Sequence, residues 1–325
     1  MLKNILVIAV AIIAGTLIYA NKTEIPATPR VDSQASVPSL EEKVLPSEGV
    51  MLPATWGNLG KQLVATGVID DKKFEQLYAN RDELTVEMKA LLTGENNGNL
   101  KITEKNSGLI LNLLWALGLG SKNEILETGP MMDKNYGGAQ NFASTGGWTI
   151  AKGNAMDHYS KHQFFNLTPE QQALVNKISR GIYRPCCGNS TYFPDCNHGM
   201  AMLGFLELMA SQGVSESEMW RAALAVNSFW FPDTYLTIAT YQKNKGVEWQ
   251  NVKPEEILGA DYSSGQGFAK IASQVTTPGN SHSGGGGCGV DAGSNVAPKR
   301  QTNGCGVDAG EPAPTPKRQS SGCGI

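Results

Sequence analysis

Hydrophobic positions between about residues 51 and 262 recur at the spacing of helix faces, and glycines or capping residues interrupt them. Residues 59–64 start a short helix that Gly67 ends, and residues 109–119 are almost entirely apolar. At eleven residues this apolar stretch is too short to cross a bilayer, so it predicts a buried helix. No alternating strand pattern competes in the sequence. The pattern therefore predicts an all-α globular core.

Two capping boxes mark the best-defined helices. Thr168 precedes Pro169 and, further on, Gln171, while Ser215 is followed at the same spacing by Glu218. In such boxes the hydroxyl and the later side chain satisfy free N–H groups at the start of a helix. A further helix, over residues 202–209, ends just before the second box.

The N-terminus has the pattern of a membrane-targeting segment. Lys3 is followed by an uncharged apolar run from Ile5 to Ala20. Cleavage after Ala20 would put Ile18 where small residues are preferred, so we expect an uncleaved signal-anchor or transmembrane helix. A positive charge on the short side favours placing the rest of the chain at the extracytoplasmic face of the cell envelope.

The C-terminus is of low complexity and contains a repeat. Cys288 and Cys305 each begin the unit Cys-Gly-Val-Asp-Ala-Gly, and Cys323 starts a third copy at the end of the sequence. The repeat region contains too few large apolar residues for their burial to offset the conformational entropy that the chain would lose on ordering. We therefore expect a disordered tail with three spaced thiols, which could capture metal or take part in thiol exchange.

These patterns divide the chain into five predicted segments. They are a signal-anchor over 1–20, a Pro/Ser-rich linker over 21–50, a helical subdomain over 51–125, a helical domain containing Cys and His over 126–262, and the tail over 263–325.

Composition narrows the functional classes. The 27 basic and 30 acidic residues give a net charge of -3, so no general nucleic-acid-binding surface is expected. The sequence has no phosphate-binding loop, dinucleotide fingerprint, nucleophile elbow or c-type haem attachment motif. No catalytic residue is predicted on these grounds.

One segment concentrates residues that bind soft metals. Cys186, Cys187 and Cys196 lie within eleven residues of one another, and His198 follows closely. Upstream, His158 and His162 are four residues apart and would share one face of a helix. Thiolate and imidazole together suit Cu(I), Zn(II) or a toxic thiophilic ion such as Hg(II). These six residues are the predicted metal ligands, with copper or zinc as the expected ion.

Other uses of the same residues stay open. Cys187 and Cys196 could cycle as a redox pair with the tail as a resolving arm, or one bridge could be purely structural. His158 and His162 could be ordinary surface residues. Met200 and Met202 alternate with Cys196 and His198, so an extended lead-in would present all four together. The alternative is that both methionines belong to a helix and pack in the hydrophobic core.

The same segment resembles two known families over residues 183–228. Pro185-Cys186-Cys187-Gly188, then Asp195-Cys196-Asn197-His198, and then a Gly-x-Ser-x-x-Glu turn are similar to the lipoproteins named for their Pro-Cys-Tyr-Cys-Gly-Cys motif. That resemblance implies metal or thiol chemistry. The segment also resembles the CcmH-type thiol reductases of cytochrome c maturation, which share a membrane anchor and a cysteine pair ahead of a helix. Their pair is Cys-x-x-Cys, whereas Cys186 and Cys187 are adjacent.

Three functional hypotheses follow. The first is a membrane-anchored protein that binds a metal for sequestration or for transfer to or from a partner. The second is a thiol–disulfide oxidoreductase. The third is a helical interaction module that is stapled by one disulfide.

Overall fold

The computed structural model describes residues 38–79 and 85–275. Within these ranges no helix combines the length and the apolar character that a membrane span requires. The predicted anchor over 1–20, most of the predicted linker and the three tail cysteines lie outside the described residues.

The described chain is mostly helical, as the periodicity predicts. In the described residues two strands and fourteen α-helices, several of them single turns, follow one another in the order α1 Leu40–Val44, β1 Val50–Gly57, α2 Leu59–Thr66, α3 Asp71–Ala79, α4 Val86–Thr93, β2 Asn97–Ile102, α5 Ser107–Gly120, α6 Glu124–Thr128, α7 Ala143–Gly146, α8 Pro169–Gly181, α9 Asn197–Ser211, α10 Glu216–Trp230, α11 Pro232–Asn244, α12 Pro254–Ile257, α13 Ala260–Ser263 and α14 Gly265–Ala272. Short 3-10 turns connect some of them, at Pro130–Met132, Lys134–Tyr136, Ala139–Asn141, Ala155–Asp157 and Trp249–Asn251.

The predicted helix boundaries are confirmed where capping chemistry marks them. Gly67 ends α2 with a left-handed φ of 84°. Thr168 and Ser215 cap α8 and α10, and both capping boxes are complete, with the side chains of Gln171 and Glu218 bonding back to the cap residues. These ends follow from local hydrogen bonding, which is why sequence alone locates them.

A two-stranded antiparallel sheet corrects the all-α prediction. β1 pairs with β2 so that Val50 lies opposite Ile102 and Thr55 opposite Asn99, with an irregularity between Met51 and Thr55. Pro53 lies within β1, and β2 begins Asn97-Gly-Asn, a sequence typical of turns. Both features make the two strands hard to recognise from the sequence, although alternate residues of β1 are buried.

The centre of the core is the contact between α5 and α9. Almost every residue of α5 is buried, which confirms the buried helix predicted over 109–119. The two backbones approach at Gly118 and Gly204, where a Cβ on Gly118 would lie 2.0 Å from the Met200 carbonyl oxygen. Because α5 and α9 come from the two predicted helical segments, residues of both segments share one hydrophobic core.

The folded part extends past the segment boundaries that the sequence suggests. Helix α1 and the first residue of β1 fall within 21–50, and α14 falls within 263–325. Ser263 is buried and its hydroxyl donates to the Ile257 carbonyl at 2.7 Å, while Ile271 and Val275 add apolar side chains to the core. These tertiary contacts order a stretch whose composition resembles a linker.

Candidate metal centre

Of the predicted ligands, Cys186 and Cys187 lie on the loop between α8 and α9, and Cys196 and His198 lie at the start of α9. An isolated antiparallel bridge between Tyr183 and Ser190 closes this loop, and the Cys187 N–H donates to the Arg184 carbonyl across its turn. Cys196 is the cap residue of α9, and its carbonyl accepts the Met200 N–H as a first helical bond. The cysteine pair therefore folds back toward the first turn of α9.

This folding brings the three cysteines and His198 together in two overlapping groups. Ligand atoms of Cys186, Cys196 and His198 lie within 4.8 Å of one another, and so do those of Cys187, Asp195 and Cys196. The Sγ atoms of Cys186 and Cys196 are 3.7 Å apart, well beyond the roughly 2.05 Å of a disulfide bond. Cys196 belongs to both groups, so it is the centre of the cluster, and either group could hold a metal ion.

A buried arginine, which the sequence analysis misses, lies against the cluster. The side chain of Arg184 is fully buried and its Nη2 lies 2.6 Å from Oδ1 of Asp195. Its Nε and Nη1 have no hydrogen-bond partner among the described residues. The other carboxylate oxygen of Asp195 accepts a bond from Asn189 at 2.9 Å. The one signal in the sequence is the position of Arg184, directly before Pro185 and the cysteine pair.

Gly199 provides the space for this arginine. A Cβ at Gly199 would lie 2.7 Å from Cζ of Arg184, closer than real contacts allow. The guanidinium therefore lies directly against the first turn of α9, beside the cysteines. A fixed positive charge there favours the thiolate form of nearby cysteines.

The thiols share hydrogen bonds unequally. Bonds from the Cys186 and Cys196 thiols, and then the charge of Arg184, hold the pKa of Cys187 far below its ordinary value. Bonds with Cys187 and Cys196, together with burial, raise the pKa of Cys186 well above its ordinary value. Burial raises the pKa of Asp195, although Arg184 opposes this shift. Cys187 is therefore a stronger acid than Cys186.

His198 presents an imidazole with little freedom to rotate. It is 4% exposed, and its ring centroid lies 4.5 Å from that of Phe231 and 5.6 Å from that of Trp230. One of its ring nitrogens lies within 4.8 Å of the Cys186 and Cys196 sulfurs, and its Nδ1 has no hydrogen-bond partner in the described part of the chain. Metal binding would thus use an imidazole that aromatic packing already orients.

His158 and His162 form a separate pair. Nδ1 of His158 lies 3.1 Å from Nε2 of His162, and neither residue belongs to the two groups around Cys196. The helix that the sequence suggested through both residues is not formed. His158 follows a 3-10 turn, and His162 lies in an isolated β-bridge with Ser121. The two rings nevertheless meet, as the spacing of four residues suggested.

The extended lead-in that would present the methionines is wrong. Helix α9 already begins at Asn197, so Met200 and Met202 are helical and fully buried in the core. Asp195 does not cap the helix, since its carboxylate pairs with Arg184. The methionines therefore pack in the hydrophobic core, as the alternative prediction states.

Comparison with known proteins does not assign the chain to a family. No family model, curated protein or solved structure matches the chain. The resemblance to the two cysteine-motif families stays an expectation from sequence, and function has to be argued from the site itself.

Proposed function

We propose that this protein binds a metal ion, with Zn(II) as the best-fitting candidate, through Cys186, Cys196 and His198. Cys187 lies beside this set and supplies a fourth ligand, which is a third thiolate, or leaves a position open for exchange. The N-terminal segment anchors the protein at the extracytoplasmic face of the membrane. The tail thiols Cys288, Cys305 and Cys323 capture metal or pass it between this site and a partner.

The observation that carries the proposal is the spacing of two thiols beside an oriented imidazole. Zinc–sulfur bonds of about 2.3 Å at tetrahedral angles place two thiolates about 3.8 Å apart, whereas a linear arrangement needs about 4.6 Å. The Cys186 and Cys196 sulfurs are 3.7 Å apart. The pair therefore matches a tetrahedral ion better than the linear coordination of many Hg(II) and Cu(I) thiolates.

Charge balance also favours a divalent ion. Two thiolates and a neutral imidazole neutralise Zn(II), so any charge left over is that of Cys187, beside the buried pair of Arg184 and Asp195. A monovalent ion with the same ligands would leave one negative charge more in a mostly buried site. Burying such a charge is costly, so the divalent ion is favoured.

The tail is long enough to reach the site. Cys288 follows the last described residue, Val275, by 13 residues, an extended reach of up to about 44 Å. The C-terminal part of the fold also touches the ligand loop, because the N–H of Gly265 at the start of α14 donates to the Cys187 carbonyl at 2.9 Å. A tethered thiol has a high effective concentration at such a site, which supports transfer.

Metal analysis with thiol counting on the full chain tests the binding site. Replacing the three tail cysteines by serine confines the measurement to the core. In this background we expect about one equivalent of zinc, and its loss in Cys196→Ser and in His198→Gln, because each removes a ligand. Met202→Leu, a volume-conserving change on the same helix, serves as the control and should retain the metal.

Circular dichroism establishes whether each variant keeps its helices. Zinc retained in folded Cys196→Ser would overturn the proposal. Absence of metal from the folded parent protein after anaerobic purification in the presence of zinc would do the same.

The second candidate function is that of a thiol–disulfide oxidoreductase. The distance of 3.7 Å between the Cys186 and Cys196 sulfurs favours these two cysteines as the redox pair, whereas the sequence suggests Cys187 and Cys196. One thiolate would attack a disulfide of a partner and release the partner's first thiolate. The second cysteine would then displace the partner's other thiolate and leave a core disulfide. A metal-free protein whose peptide map shows this disulfide forming and reducing reversibly would establish the candidate in place of metal binding.

A further inference from the structure

Outside the cysteine cluster, two imidazoles meet with their ring nitrogens facing each other. The Nδ1 of His158 and the Nε2 of His162 are 3.1 Å apart, and the ring planes are inclined by 31°. His158 is buried and packs beneath the turn at Gly67, while His162 is partly exposed. The pair therefore has one fixed ring and one ring that solvent can reach.

The backbone determines which nitrogen of His158 carries its proton. Its Nε2 lies 2.8 Å from the Lys152 carbonyl oxygen, which can only accept a hydrogen bond. Nε2 is therefore protonated and Nδ1 of the neutral ring carries a lone pair directed at His162. Metal-binding histidines characteristically donate their second ring N–H to a backbone carbonyl or carboxylate in this way.

We propose that His158 and His162 form a second, imidazole-only site for a borderline divalent cation such as Zn(II), Cu(II) or Ni(II). Two imidazoles on a tetrahedral zinc have nitrogens about 3.3 Å apart, given Zn–N bonds of about 2.05 Å. The observed separation of 3.1 Å is close to this value, so the nitrogens need little displacement, while each ring turns until its lone pair points at the ion and no longer at the other nitrogen. His162 needs only to shift its Nε2 proton to Nδ1 or release it to solvent when the metal enters.

The residues around the two rings determine how strongly the pair would bind an ion. In the described residues no third histidine, cysteine or carboxylate lies close enough to complete a group with this pair. Water or an external ligand would therefore fill the remaining positions, and binding is weaker and faster to exchange than at the thiols. The exposed side chains of Lys152 and Lys161 carry the nearest positive charges along the chain, which also limits the affinity.

Burial and the neighbouring His158 lower the pKa of His162 from its ordinary value. The nearest carboxylate in sequence, Asp157, is exposed and accepts a hydrogen bond from the Asn154 N–H at 2.8 Å. It is therefore already engaged in the local turn. The proposed site stands on the two rings alone and does not depend on metal binding at the cysteines.

Histidine-selective nitrogen NMR on the full chain tests this site with Zn(II) as the probe. Without metal, His158 should show a protonated Nε2 and an unprotonated Nδ1. On titration, the signals of His158 Nδ1 and His162 Nε2 should move together, because both nitrogens bind the same ion. His162→Gln should weaken this response at least about tenfold, since it removes one of two ligands. His282→Gln, a change far along the chain, should leave it unaltered.

The same spectra separate this proposal from the first one, because His198 reports the cysteine cluster independently. If the His158 and His162 signals do not move at millimolar zinc, the pair is a structural hydrogen bond and the proposal fails. The proposal also fails if the response of His158 is unchanged in folded His162→Gln, or if it disappears in His282→Gln. A response of the pair while His198 stays unchanged would support this site and count against the cysteine site.

Discussion

At the scale of single residues, Arg184, Asp195 and Glu207 are almost completely buried, and Glu207 is accommodated differently from the other two. Arg184 and Asp195 are 0% and 2% exposed and form an ion pair. Glu207 is also 0% exposed, but its partner is the Ser121 hydroxyl at 2.5 Å, which carries no charge. A buried carboxyl without a counter-charge is stable only when protonated.

This difference makes Glu207 the source of a pH-dependent loss of stability. Burial raises its pKa from 4.5 to about 8, although bonds from Ser121 and Asn123 oppose the shift. Below pH 4.5 both folded and unfolded chains hold the proton, and the full stability is present. Between pH 4.5 and about 8 the unfolded chain alone releases it, so stability falls as pH rises.

Glu207→Gln should remove this pH dependence. Relative to the wild type, the variant should gain up to about 5 kcal/mol in free energy of unfolding between acid pH and pH 9, at about 1.4 kcal/mol per pKa unit. Urea denaturation of both proteins at pH 4.5, 7 and 9 measures the difference. A constant difference across this range would show that Glu207 ionises normally.

At the scale of elements, the close approach of α5 and α9 holds in place the turn that carries two of the candidate ligands. A Cβ on Gly204 would lie 2.5 Å from the Gly118 backbone nitrogen, and one on Gly118 would meet the Met200 carbonyl. Met200 is one turn from Cys196, the first helical hydrogen-bond acceptor of α9. Any separation of the helices therefore moves the end of α9 that carries Cys196 and His198.

Gly118→Ala should lower both stability and metal affinity. Overpacking at such contacts costs about 1–3 kcal/mol, which exceeds the roughly 1 kcal/mol that alanine gains over glycine in a helix. Chemical denaturation and zinc titration of the full chain measure the two effects. Gly98→Ala is the control, since a Cβ there meets nothing within 4 Å. Equal losses in the two variants would contradict the packing argument.

At the scale of the whole molecule, the ligand loop ties together parts of the chain that are distant in sequence. The Tyr183 N–H donates to the Leu258 carbonyl, and its own carbonyl accepts a bond from Asn227 at 3.3 Å. The Gly265 N–H bonds to the Cys187 carbonyl. An ion in this loop would therefore stabilise the C-terminal helices as well as the site.

Removal of the metal with a chelator should lower the melting temperature of the full chain. Free zinc at a hundred times the dissociation constant contributes about 2.7 kcal/mol to folding. Hydrogen exchange should become faster in residues 183–198 and 254–265, and the Cys196→Ser variant should show no response to the chelator. A response of equal size in that variant would place the stabilising ion elsewhere, for example at the histidine pair.

The sequence by itself determined the features that depend on local chemistry. The caps at Gly67, Thr168 and Ser215 and the buried helix over 109–119 were predicted, because helix ends and apolar runs depend on nearby residues. The density of thiols and imidazole over residues 186–198 likewise predicts a candidate site for a soft metal.

Tertiary structure decided the rest, because packing joins residues that no local pattern connects. It pairs β1 with β2 across more than forty residues, and it orders α14 within a stretch that reads as low complexity. It buries Arg184 and Asp195 beside the thiols, groups Cys186 with Cys196 and His198, and places His158 and His162 in a pair of their own. Which candidate ligands converge depends on how α8, α9 and their loop pack, and that is a property of the whole core.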